Sequence, residues 1–289
     1  MSNNTKPNVL LSVASISMIV CRRHLANYSH SKSKHTFTQT QLMSCLILRA
    51  YLKTTYRGIV EVLDASDKLR TLLGLDRKLP DHSTLKKFAD RIASPDLIDT
   101  LIGQVLKLCL ETPTSVATEQ IAGDSTGVET TGASAHFVAR SGRSRHRYVK
   151  LSVAVTCTSM LAVAMLVSWG PRTDKCEGME LVRRCASRVT PRQVFFDAGY
   201  DSDPLHAFCH QTWGVSSYIP PVVHRKDGTL GGTYRPLMNQ PPENYGLRWH
   251  VESFFSGLKR VTGSTLSARS ESALFTEAAL RVLAYAIRR

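Results

Sequence analysis

Apolar and polar positions change their rhythm once along this chain. Up to about residue 110 they repeat with helical period. Residues 8–21 are almost wholly apolar and predict a buried N-terminal helix. The polar stretch 29–40 predicts a loop leading into a helix capped by Thr38 or Thr40. Leu42, Cys45 and Leu46, then Arg49 to Ile59, carry helical periodicity. Asp64 or Ser66 is placed to cap a short helix that ends at Gly74. Pro80-Asp81-His82-Ser83-Thr84 opens another, with Leu85, Phe88 and Ile92 on its apolar face, and Pro95-Asp96 starts one running to about Leu110. Past Thr112-Pro113-Thr114-Ser115 the period shortens. Residues 119–130, 148–158 and 161–169 are rich in Val, Ala, Ile and Leu and predict strands, the last two close enough for a hairpin. A helix over 176–189, a buried strand Gln193 to Phe196, a helix over 203–213 and a fifth strand Val215 to Ile219 follow. Pro220-Pro221 ends the fifth strand, and after a glycine-bearing loop a last helix is predicted from about Tyr245.

The division expected is a small all-α domain over 1–115 and an α/β domain with a five-stranded mixed sheet over 116–289. At 289 residues the chain is long enough for either one large core or two moderate ones.

Charge narrows the partners. The formal net charge is +14 and the pI about 9.7, which favours a polyanion such as nucleic acid over a merely soluble basic surface. The excess is spread over both halves. Arg140, Arg143, Arg145, Arg147 and Lys150 form an acid-free run that either tracks a phosphate backbone or is a solvated hairpin. The helical first domain suits helix-turn-helix-like DNA binding, or braces the second domain. Seven scattered cysteines contain no C-x2-C pair, so neither a zinc site nor a disulfide framework is expected, and a reducing cytoplasm is. No apolar run is long enough to span a membrane. Residues 8–21 imitate a signal or lipoprotein leader only faintly, since no small-x-small site follows them and Val20 precedes Cys21.

The chemistry concentrates in Tyr245-Gly-Leu-Arg248-Trp-His-Val-Glu252-Ser-Phe-Phe-Ser-Gly-Leu-Lys259, a Y-x2-R-x3-E-x6-K pattern. On one helix these offsets share a face. That places a carboxylate able to hold a divalent cation beside phenol, guanidinium and ammonium groups able to hold phosphates. Trp249 lies off the stripe, and burial in the core is favoured over base stacking. Phe254, Phe255 and Leu258 form the core face. Two further carboxylates sit at predicted strand ends: Asp124 in Gly123-Asp124-Ser125-Thr126, and Asp197 in Phe196-Asp197-Ala198-Gly199-Tyr200. Alone, each is an ordinary turn residue. Glu129 and Asp201 lie nearby but outside the motif positions.

Taken together, these three motifs resemble the Y-R-E-K, first-Asp and D-x-G-Y motifs of bacterial insertion-sequence transposases of the IS4/IS5 type, in the DDE superfamily, and in the same order. The resemblance covers roughly residues 116–265, with Pro80 to Leu85 a looser match. It implies an RNase H-like catalytic domain, and the strand and helix order agrees with that. It implies Asp124, Asp197 and Glu252 as catalytic metal ligands for Mg²⁺ or Mn²⁺, with two ions expected. Tyr245, Arg248 and Lys259 would grip phosphates. The implied activity is binding of an element's terminal inverted repeats, metal-dependent cleavage of its ends and joining of the 3′-OH to target DNA. A homodimer or larger synaptic complex on DNA, in the bacterial cytoplasm at the nucleoid, goes with it. The short link from the fifth strand to the last helix leaves no room for a large β insertion, which is nearer the IS5 side. The alternatives are a truncated or decayed non-catalytic relative, since the chain ends about 30 residues past Lys259, and an RNase H-like nuclease or resolvase that does not join strands.

Overall fold

The computed structural model describes residues 7–112, 118–130, 147–223 and 226–289. The chain forms two compact units, one from residues 1–108, 260–263 and 268–289, the other from 109–259 and 264–267.

The first unit is helical: α1 (Val9–His24), α2 (Gln39–Tyr51), α3 (Tyr56–Asp64), α4 (Asp67–Leu73), α5 (His82–Arg91) and α6 (Pro95–Leu110). Local chemistry sets their ends. Thr38 and Gln41 form a capping box at the start of α2. The Ser66 hydroxyl accepts from the Leu69 amide, and Gly74, at φ 66°, ends α4 in the left-handed conformation only glycine adopts freely. Asp81 caps α5. α2 is buried all round from Leu42 to Ala50, as a helix enclosed by others must be. The apolar periodicity expected to run from Arg49 to Ile59 is broken at Leu52–Thr54, where Lys53 has φ 54° and Thr55 caps a new helix by accepting from the Gly58 amide. The apolar phase carries across this break, so the pattern hides it. Residues 268–289, which the expected division at 115/116 groups with the sheet, hold a long Ala- and Leu-rich helix (Glu271–Arg288) that packs against α1, α2 and α5.

The second unit is a mixed sheet with helices. Its strands are β1 (Gln120–Thr130), β2 (Tyr148–Thr156), β3 (Ala162–Gly170), β4 (Gln193–Phe196) and β5 (Ser216–Tyr218). Their order is β3-β2-β1-β4-β5. The first three strands meander antiparallel, and β4 and β5 run parallel to β1. That is the RNase H-like arrangement. One correction concerns strand number: a sixth, two-residue strand, β6 (Thr265–Leu266), pairs parallel with the far end of β1. It is too short to leave a periodic signal. β2 is buried along nearly its whole length, as a strand covered on both faces should be. Helix α7 (Lys175–Ala186) joins β3 to β4. α8 (Asp203–Ala207), continued by a π-helical turn to Trp213, joins β4 to β5. A 3₁₀ stretch, Glu243–Arg248, leads into α9 (Trp249–Thr262). No helix among the described residues is long and apolar enough to cross a membrane.

Candidate active site

Strand register brings the first two carboxylates together. Gly123 of β1 is paired with Phe196, the last residue of β4, so Asp197, the first residue past β4, stands beside Asp124, which lies within β1 and not at a strand end as expected. Neighbouring strands are about 4.8 Å apart, which sets the scale of that pairing. The close approach depends on Gly123, where a Cβ would lie 2.1 Å from the Phe196 ring. Asp124 Oδ1 accepts from the Ser125 amide at 2.7 Å, and Asp197 Oδ1 from the Gly199 amide at 2.9 Å. Each carboxylate is thereby fixed by its own motif.

Glu252 is in the first turn of α9. Arg248 donates to Glu252 Oε1 at 2.6 Å and to Asp124 Oδ2 at 3.2 Å, tying helix to strand. The Tyr245 hydroxyl donates to the Phe196 carbonyl at 3.2 Å, one residue before Asp197. Lys259 donates to Thr126 Oγ1 at 2.7 Å, two residues past Asp124. Every member of the Y-R-E-K set therefore reaches one of the two Asp motifs, directly or, for Glu252, through Arg248.

The stripe is not one α-helix, as expected, but a 3₁₀ stretch carrying Tyr245 and Arg248 followed by α9 carrying Glu252 and Lys259. Gly246 disfavours α-helix there. The three-residue step from Tyr245 to Arg248 keeps one face in either winding, so the alignment survives. Trp249 is the opposite of the core residue expected: it is 54% exposed and stacks on the His250 ring at 4.1 Å. Its position on the outer side of the turn leaves Val251, Phe254, Phe255 and Leu258 to fill the core.

Burial first, and crowding of negative charge after it, raise the carboxyl groups. Burial pushes the Asp124 pKa up to about 6. Asp197 and Asp174 add repulsion, while the Ser125 amide and Arg248 oppose the rise. Burial likewise raises Asp197, with Asp174 the leading charge against it. Burial works against the Arg248 charge, but Glu252 and Asp124 overcome it and hold its pKa above the ordinary value. Partly buried carboxylates that repel one another, all hard oxygen donors, fit a divalent cation. Among the described residues no three acids already converge as a ready cation cage, and the Arg248 guanidinium bridges Asp124 and Glu252.

Asp174 had no motif to mark it. It directly precedes α7, where its Oδ1 accepts from the Ser125 hydroxyl at 2.5 Å and from Lys150 Nζ at 2.8 Å. Lys150 itself is corrected from a phosphate-tracking residue. It is 2% exposed on β2, donates to the Arg172 carbonyl at 2.9 Å, and stands 3.5 Å from Glu177. A lone charged residue in a strand rich in valine and leucine was the available sign of a buried counter-ion. Arg147 is exposed, its guanidinium 3.9 Å from the centre of the Trp169 ring. Arg140, Arg143 and Arg145 lie outside the described residues. The two neighbouring acids stay out of the cluster. Glu129 is at the β6 end of β1, and Asp201 is buried in an ion pair with Arg235 at 2.6 Å.

Comparison with known proteins gives one family match: the model described as Transposase DDE domain matches residues 117–287. No curated protein matches the chain. Among solved structures, a piggyBac transposase synaptic complex with hairpin DNA aligns with 98% of this chain and 72% of its own, at 11% identity and a TM-score of 0.46.

Proposed function

The chain belongs to the transposase DDE domain family, and from that we propose that it is an insertion-sequence transposase of the IS4/IS5 type, closer to the IS5 side. It would bind the inverted repeats of its own element, cut the ends by phosphodiester hydrolysis and join the freed 3′-OH to target DNA. The observation that carries this reading is the convergence of Tyr245, Arg248, Glu252 and Lys259 on the two Asp motifs.

Asp124, Asp197 and Glu252 would hold Mg²⁺ or Mn²⁺, two ions by family resemblance. Held there, such ions would supply Lewis acidity to the attacking and leaving oxygens. The protein's own part is positional. The Ser125 and Gly199 amides orient the two aspartates before any substrate arrives. Arg248 has five donors, of which two are engaged with carboxylates, so its fork retains capacity for a phosphate. Lys259 offers a point charge two residues beyond Asp124. Tyr245, held edge-on to Tyr218 with ring centres 4.7 Å apart, borders the Asp197 side of the cluster. The net charge of +14 supports long-range attraction to DNA. Action on the bacterial chromosome as a homodimer or larger synaptic complex completes the reading.

The test is cleavage of a labelled duplex carrying the element's end, with Mg²⁺ or Mn²⁺, by wild type and Glu252→Ala. Metal-dependent nicking at the end, lost in the variant while DNA binding persists, is expected. Equal cleavage by both would refute the assignment of Glu252. Binding without cleavage by either protein would favour a non-catalytic relative, and cleavage without end specificity or joining would favour a nuclease.

A further inference from the structure

We propose that Asp174 is a fourth acidic residue of this centre, a positioning residue that links both Asp motifs and strengthens the hold of Asp124 and Asp197 on divalent cations. The proposal rests on the reading of those two aspartates as cation ligands. Three independent contacts lead to it. Asp174 Oδ1 accepts from Ser125, the residue whose amide orients Asp124. On a strand, consecutive side chains point to opposite faces, so Asp124 and Ser125 diverge and Asp174 engages the motif from the face turned away from α9. Asp174 Oδ2 is 2.7 Å, and Asp197 Oδ1 3.0 Å, from where a Cβ on Gly199 would sit. The two oxygens are thus no farther apart than the sum of those distances. The glycine of the D-x-G-Y motif is the residue that allows the second motif to close on Asp174.

The third contact explains why such a carboxylate is tolerated. Lys150 is buried, and its ammonium touches Asp174 at 2.8 Å and Glu177 at 3.5 Å. Glu177 in turn accepts from Ser152 at 2.5 Å and from Ser168. Two acids share one buried lysine. The Asp174 side chain is 23% exposed, whereas Lys150 is sealed at 3%. The exposed end of the network is therefore the acidic one, and it borders Asp197.

Mn²⁺ binding by the full chain without DNA, followed by the electron paramagnetic resonance of free Mn²⁺, tests this separately from catalysis. Asp174→Asn keeps an oxygen for Ser125 and removes the charge. It should weaken Mn²⁺ binding roughly tenfold, the order expected when one unit charge near a divalent ion is removed. Asp174→Glu should recover much of the loss, which a purely structural role would not produce. An Asp174→Asn protein that folds and titrates with Mn²⁺ like wild type would overturn the proposal. If that variant fails to fold, Lys150→Met decides: uncovering the charge of Asp174 should tighten Mn²⁺ binding, and unchanged or weaker binding would overturn the idea. Asp197→Asn run in parallel separates the two levels. If it too leaves Mn²⁺ binding intact, the underlying assignment of the aspartates fails, and not the role of Asp174 alone.

Discussion

Asp124→Asn should make the metal-free protein more stable and catalytically dead at the same time. Folding raises the Asp124 pKa from 3.8 to about 6, mainly by burial. A carboxyl whose pKa is higher in the folded chain binds its proton more tightly there. The folded state therefore loses stability as pH rises from 3.8 towards about 6, and above that the loss is constant. Two pKa units correspond to about 3 kcal/mol. The Asp124 side chain is only 17% exposed, so solvent screening removes little of this. The attraction of Arg248 is already contained in that net shift, so the gain expected stays about 3 kcal/mol. For a unit of this size that is a rise in Tm of roughly 6–12 °C. The assay is thermal unfolding of wild type and variant with a chelator present, across the acid-to-neutral range. The gain should be absent below the unfolded pKa, grow through the interval and level off above about 6. Adding Mn²⁺ should then stabilise wild type more than the variant, because only a ligand that binds the folded form raises its stability. A gain independent of pH, or no gain at neutral pH, would refute the claim that Asp124 is held at an electrostatic cost.

Three further substitutions separate site from scaffold. Gly199→Ala puts a methyl group against Asp174 and Asp197. It should cost about 1–3 kcal/mol as overpacking does and weaken Mn²⁺ binding, both measurable on the purified protein. Lys259→Met removes the ammonium beside Thr126. If it contacts one phosphate, DNA affinity should fall for all sequences alike, and the slope of log affinity against log salt should shrink by about one. Asp201→Ala leaves Arg235 without its buried partner. It should destabilise the protein by about 3–5 kcal/mol, and the protein that does fold should bind Mn²⁺ like wild type, since Asp201 is outside the cluster.

What could be read from the sequence was whatever repeats along it. β4 was expected and found at Gln193–Phe196, and β1 to β3 shifted by only one or two residues at their ends. Strand periodicity survives because β2, β3 and β4 are buried over most of their length and β1 over its first half. The Thr38 and Ser66 caps were legible because a side-chain oxygen acts within three residues of itself. Features that depend on partners distant in sequence were not legible. The break at Lys53 interrupts the backbone without interrupting the apolar phase. The helix Glu271–Arg288 is buried on nearly every side, so it lacks the polar face that would have announced it. The frequent burial of tryptophan points Trp249 to the core, whereas its place on the turn ahead of Val251 exposes it.

Lys150 and Asp174 show why charge in a sequence is an unsafe guide to surface. Lys150 belongs with the arginines preceding it only by nearness in the chain. It is separated from them by strand direction: Val149 and Leu151 flank it within a buried strand, and its ammonium turns to acids on either side of the first turn of α7. Asp174 carries no motif; an aspartate before a helix ordinarily caps it, but here the side chain makes no cap and is given to Ser125 and Lys150 instead. Read with these partners, the three motifs are a contact scheme. Asp124 and Thr126 face Arg248 and Lys259 on one side of β1. Ser125 faces Asp174 on the other, and Gly199 gives Asp174 room beside Asp197. The spacing Asp-Ser-Thr is thus required by two elements gripping one strand from opposite faces, and a substitution at Ser125 should disturb the site from the side that carries no catalytic residue.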